Sequence, residues 1–206
     1  FSGIYGTLLL SNRATDPARR LEELELAVKF LYASTFFRRA KRYLARTGRR
    51  LEEEKMAVLI QQVVGQPHGH RFYPLCSGVA QSINDYALPP QRPEQGAVQL
   101  VFGLSPVTAG GEARVRFSPE RPELMPQYSS DAGRARFAQR SFLALDLRGR
   151  LDLRGARAEQ ITQRLDLSQA AADDTLDLAV SHFQPGPGRL THGDHGVIAD
   201  MGEINA

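Results

Sequence analysis

The chain has 206 residues, 42% hydrophobic and 24% charged, the composition of a soluble globular protein able to bury a sizeable core in one domain or two small ones. Its net charge of +3 comes from arginines interspersed with carboxylates rather than gathered in a basic run, which argues against nucleic acid as a partner. No apolar run reaches the roughly 18 residues of a membrane span, no signal peptide opens the chain, and a single cysteine, Cys76, excludes an internal disulfide, so the expected setting is cytoplasmic with no membrane partner.

Residues 1–10 (FSGIYGTLLL) read as a strand or hairpin, with Gly3 and Gly6 marking tight backbone. The chain opens inside a patterned segment and stops at Ala206 without a terminating signal, so it reads as a piece of a longer protein. Asp16-Pro17 predicts a helix start, the carboxylate capping free N–H groups and the proline tolerated at the first helical position. Leu21, Leu24, Val28 and Leu31 recur at helical spacing. After a bend near Ser34, a second helical stretch carries Phe37, Ala40 and Leu44 and ends at Gly48, with Arg38, Arg39, Lys41 and Arg42 as a solvated face.

Residues 55–64 (KMAVLIQQVV) follow an acidic loop, and their apolar, β-branched run predicts a central strand whose glutamines, read alone, face solvent. Pro67-His68-Gly69-His70 predicts a turn rather than a metal pair, because no third ligand is near in sequence. Ser77-Gly78-Val79-Ala80 begins another strand, followed by a proline-rich loop over residues 84–95.

Residues 96–119 (GAVQLVFGLSPVTAGGEARVRFSP) organise the rest. They read as a buried strand over 97–102, a glycine-punctuated loop over 103–111, and a second strand in which Ala113, Val115 and Phe117 alternate with Arg114 and Arg116. A glycine-rich loop between two strands lets backbone N–H groups approach a polyphosphate, because no Cβ stands in the way. Beyond Glu120, Arg121-Pro122 and Pro126-Gln127 make a linker-like turn. Residues 142–147 and 175–183 look like alternating strands separated by an Arg/Asp-rich stretch. His192, Asp194 and His195 offer metal-ligand chemistry within four positions, but a polar loop is the favoured reading of them.

Several of these segments, in this order, resemble the ATP-binding region of the phosphoenolpyruvate synthase (pyruvate, water dikinase) and pyruvate phosphate dikinase family. Phe1, Gly3, Tyr5, Thr7 and Asn12 match its first motif. Ala33, Ser34, Phe36, Arg39, Ala40 and Tyr43 match its A-S-x-F-x-x-R-A-x-x-Y helix. Gln61 matches the glutamine of V-x-V-Q-x-M-V, and Ser77-Gly78-Val79 matches S-G-V-x-F-T. Gly103-Leu104, Gly110-Gly111 and Arg116-Phe117-Ser118-Pro119 follow the pattern of GLG-x-x-V-V-x-G-G and R-F-S-P.

The resemblance implies an α+β fold with a mixed sheet: a partial ATP-grasp-like lobe over residues 1–125, with residues 126–206 as an extension of the same protein. It implies ATP and Mg²⁺ as cofactors, and ATP-dependent phosphoryl transfer to a histidine and on to pyruvate in the parent protein, with pyruvate and phosphoenolpyruvate as its small-molecule partners. An upstream lobe and a phosphohistidine domain would be the partners, and the piece alone would be inactive. The implied site places Gln61 beside the adenine, Gln99 toward the metal, and Gly103, Gly110, Gly111 and Arg114 around the phosphates; no catalytic residue is assigned. Two departures stand out. Gln99 occupies a glutamate position of the synthase, and Ser105-Pro106 replaces the residues after GLG, proline removing an N–H. These favour an alternative, a non-catalytic regulatory or scaffold paralogue. A metal-dependent hydrolase built on His192, Asp194 and His195 is the third reading.

Overall fold

The computed structural model describes residues 4–48, 50, 55–87, 89–104, 114–128, 130, 133, 136–151, 153 and 161–176. In chain order these form α1 (Pro17–Ala33), a 3-10 turn (Ser34–Phe36), α2 (Arg38–Thr47), β1 (Gln66–His68), β2 (Arg71–Tyr73), β3 (Cys76–Gln81), β4 (Ala97–Phe102), β5 (Val115–Phe117), β6 (Ser141–Asp146), β7 (Thr162–Asp166) and α3 (Leu167–Ala172). The strands make one sheet in the order β1-β2-β6-β7 and another in the order β3-β4-β5. The class is α+β, as expected. No helix among the described residues is long and apolar enough to cross a membrane.

Two units divide the chain: residues 1–72 with 145–163, and residues 73–144 with 164–206. In the first, Asp16 caps α1 by accepting the N–H of Ala18 at 2.9 Å, with Pro17 at the first helical position. Leu24, Val28 and Leu31 are half-buried on α1, and Leu21 is exposed. The 3-10 turn at Ser34 sets the bend, its hydroxyl donating to Leu31 O at 2.6 Å. Phe30 and Phe37 then meet edge to face across that bend, 5.4 Å between centroids. α2 buries Ala40 and Leu44, exposes Arg38, Arg39, Lys41 and Arg42, and stops at Gly48 with φ 68°.

The second unit is built on three aromatic rings. Tyr73, Phe102 and Phe142 pack with centroids 4.8–6.0 Å apart and are fully buried. Each such side chain contributes about 1.5–3 kcal/mol by leaving water. The Tyr73 hydroxyl stays satisfied by donating to Asp173 Oδ2 at 2.8 Å and meeting Thr175 Oγ1 at 3.1 Å, just past α3. β6 is buried at four successive residues, Phe142 to Leu145, which is why its sequence is continuously apolar.

Two expectations for strands fail. Residues 55–65 adopt neither helix nor strand, with Leu59 80%, Ile60 62% and Val64 84% exposed. The run has the composition of a central strand without a pairing partner among the described residues, and pairing is what defines a strand. Residues 4–14 likewise form no strand; Gly6 instead lies against α1, where a Cβ would meet Leu31 Cδ2 at 3.3 Å. The Pro67–His70 turn joins two short strands, β1 and β2, through Gly69 at φ 61°. β7 and α3 arise inside the Arg/Asp-rich stretch. The strand expected over 175–183 falls outside the described residues apart from Thr175 and Leu176.

Candidate functional site

β4 lies between β3 and β5 in antiparallel register, with Val79, Gln99 and Arg116 directly opposite one another across the three strands. Directly opposed residues share a face of the sheet, so the neutral amide of Gln99 and the guanidinium of Arg116 project from the same side. Gln99 is half-buried. The sheet is tightly drawn at this level. Gly78 sits one residue before Val79, and a Cβ there would collide with the carbonyl oxygen of Gln99.

Arg116 and Ser118 turn out to hold the connection between β3 and β4. Arg116 Nη2 donates to Asn84 Oδ1 at 2.6 Å, and Asn84 is buried. Ser118 Oγ, 1% exposed, donates to Gln95 O at 2.9 Å. Gln95 in turn accepts the Arg92 N–H at 2.8 Å and donates to Glu120 Oε1 at 3.3 Å. Pro119 closes over Gly96, whose φ of 72° and close approach to Gln81 O (2.7 Å from an added Cβ) leave room for no side chain. So the R-F-S-P segment acts here as a clamp on residues 84–96.

β4 ends at Phe102 and the chain passes through Gly103 at φ 77°, where three backbone groups are engaged. Gly103 N donates to Leu75 O at 3.4 Å, Ser77 Oγ donates to Gly103 O at 2.6 Å, and Leu104 N donates to Leu143 O at 2.9 Å. A Cβ at Gly103 would meet Phe142 Cδ2 at 2.8 Å and Leu143 O at 2.9 Å. Gly103 therefore serves close packing on β6 and a left-handed turn at the point where the loop begins.

In the second unit Gln99 lies within β4, Gly103 directly after it, and Arg114, half-buried, directly before β5. Gln61 belongs to the first unit and is exposed within residues 55–65. Gly110, Gly111, Ser105 and Pro106, and the His192, Asp194 and His195 cluster, lie outside the described residues. For a divalent cation, Gln99 offers one neutral oxygen across from a cationic Arg116. Among the described residues no three His, Cys, Asp or Glu side chains come together to hold a metal ion. A hard cation that favours carboxylate oxygens does not fit this donor set by itself.

Sequence reasoning missed Asn84, Gln95 and Gln139, whose amides fix the loops around β4. Gln95 carried a local signal, since Arg92-Pro93-Glu94-Gln95 closes a capping box. Asn84 carried a weaker one, its Oδ1 accepting the Tyr86 N–H two residues on as an Asx turn.

The family model for the pyruvate phosphate dikinase AMP/ATP-binding domain matches residues 1–123. No curated protein and no solved structure gives a significant match to the chain.

Proposed function

The chain belongs to the pyruvate phosphate dikinase AMP/ATP-binding family, and from that premise we propose that it forms the second lobe of an ATP-grasp-type nucleotide site. Residues 1–125 are the lobe and residues 126–206 an extension of the same protein. The observation that carries this reading is the junction at Gly103, a strand delivered into a glycine-containing loop at a fixed point within the family-matched residues. The sequence that follows contains Gly110 and Gly111, which would permit close backbone approach to phosphate, and Arg114, next to β5, supplies positive charge. By the family resemblance, Gln61 belongs to the segment beside the adenine.

Mg²⁺, arriving with ATP, would neutralise phosphate oxygens. Gln99 adds one neutral oxygen toward it. In the parent protein an upstream lobe and a phosphohistidine domain complete the reaction, which passes a phosphoryl group to histidine and on to pyruvate. The setting is cytoplasmic.

A second reading, a non-catalytic regulatory or scaffold paralogue, is favoured by Gln99 and Pro106. Calorimetric titration of Mg·ATP into the intact parent protein, beside a Gly110→Val, Gly111→Val variant, tests the site. Binding by the parent and its loss in the variant support the nucleotide reading; a folded parent that binds no ATP removes it. ATP-dependent labelling of a histidine then separates the two readings, since a scaffold paralogue stays unlabelled.

A further inference from the structure

β5 pairs with β4 from Val98↔Phe117 to Leu100↔Val115. Backbone groups of residues two apart on a strand point to the same side, so the N–H and C=O of Phe102 project toward the side on which Leu100 meets β5. What meets them there is the side chain of Gln139. Its Oε1 accepts the Phe102 N–H at 2.8 Å, and its Nε2 donates to Phe102 O and Ser141 O, both at 2.9 Å. A primary amide carries the same donor and acceptor as a peptide group, so one side chain stands in for a strand residue at the last position of β4. Gln139 is only 7% exposed, so water has little access to replace it.

We propose that Gln139 is a positioning residue for the nucleotide loop. Its amide fixes Phe102 and thereby the place and direction in which the chain leaves the sheet at Gly103. Gln139 stands beyond the family-matched residues 1–123, so the segment after the AMP/ATP-binding domain holds the base of that domain's loop. The functional half of the proposal rests on the nucleotide reading above; the structural half is measurable without nucleotide.

Gln139→Glu preserves shape and separates the two halves. As a carboxylate the new side chain still accepts from Phe102 N but opposes Phe102 O and Ser141 O; once protonated it can donate again. Arg140 is adjacent in the chain and exposed, and Arg164 Nη1 donates to Ser141 Oγ at 3.1 Å. Variant and native protein compared at the same pH therefore isolate the introduced carboxyl.

The experiment reads amide protection factors at Phe102 and Leu104 by NMR, with α1 amides as a folding control, and titrates Mg·ATP into the intact parent protein carrying the same change. Expected at about pH 8 is a loss of protection and of ATP affinity on the order of 10-fold relative to the native protein at the same pH, with the protection recovering at about pH 5. Gln139→Met, which can neither donate nor accept in this way, shows the loss at both values; should it fail to fold, the two pH values of Gln139→Glu still provide the comparison. Unchanged protection in the variants overturns the proposal. So does lost protection with native ATP affinity, which would leave Gln139 a purely structural residue. A native protein that binds no Mg·ATP defeats the nucleotide reading itself, a result distinct from loss in the variants alone.

Discussion

Arg116 in β5 and Asn84 in the connection between β3 and β4 are joined by a 2.6 Å hydrogen bond from guanidinium to amide oxygen, and the same oxygen receives the Tyr86 N–H at 3.1 Å. Asn84 is buried, so its removal leaves a charged donor and a backbone N–H without their acceptor. Asn84→Ala is expected to lower stability by about 1–3 kcal/mol in urea denaturation. Asn84→Asp keeps an acceptor for both donors and should lose less. Equal stability of native protein and Asn84→Ala would show that the clamp contributes nothing.

Gly103 and Gly48 share a left-handed backbone but not its surroundings. At Gly48 (φ 68°) an added Cβ meets nothing within 4 Å, whereas at Gly103 (φ 77°) it meets Phe142 and the Leu143 carbonyl below 3 Å. Gly48→Ala should therefore cost only the backbone strain, roughly 1–2 kcal/mol. Gly103→Ala adds overlap with a packed strand, about 1–3 kcal/mol more. Thermal melts of the two variants check this, and comparable losses would mean that β6 yields to the new methyl group.

The Asp166 carboxyl caps α3 by accepting the Ser168 N–H at 2.9 Å, and that backbone hydrogen bond, with one from the Ser168 side chain, holds it below the ordinary 3.8. The Asp146 carboxyl is held down too, chiefly by its hydrogen bond from the Arg148 side chain. A folded-state pKa below the unfolded one stabilises the protein above the unfolded value, and that contribution is lost as pH falls through the folded one. Acid should thus erode stability below about pH 4. Asp166→Asn retains a cap that does not titrate. Its unfolding free energy should fall less than that of the native protein between about pH 5 and about pH 3, and an identical fall would remove Asp166 from the acid response.

A carboxylate in place of Gln99 would supply the oxygen chemistry that a hard cation favours. Gln99→Glu in the parent protein should raise affinity for Mg·ATP several-fold relative to metal-free ATP, read by paired calorimetric titrations. If the ratio of the two affinities does not move, Gln99 does not face the metal.

The local signals were legible where a single short segment decides the outcome. Asp16-Pro17 opens α1 with the cap in place, Gly48 closes α2, and the apolar run 97–102 is β4 to the residue. Residues 55–64 misled because apolar composition states a preference for pairing but not whether a partner strand is there. β6, with an equally apolar run, has neighbours on both sides and is buried. β7 and α3 were obscured by the charge around them, although Asp166 ahead of Leu-Ser-Gln-Ala-Ala-Ala is a recognisable cap. The residues that shape the candidate site, Asn84 beneath Arg116 and Gln139 beside Phe102, act across 32 and 37 positions, and no periodicity reaches that far.

The inward-facing hydrogen bonds of Arg116 and Ser118 have an evolutionary consequence. A lineage that ceased to transfer phosphate would still have to close the connection over residues 84–96, so selection on folding alone preserves the R-F-S-P segment. Drift is released instead at positions that fold without a fixed side chain. A genome search keyed on R-F-S-P would therefore gather folded lobes of every kind, whether or not they transfer phosphate.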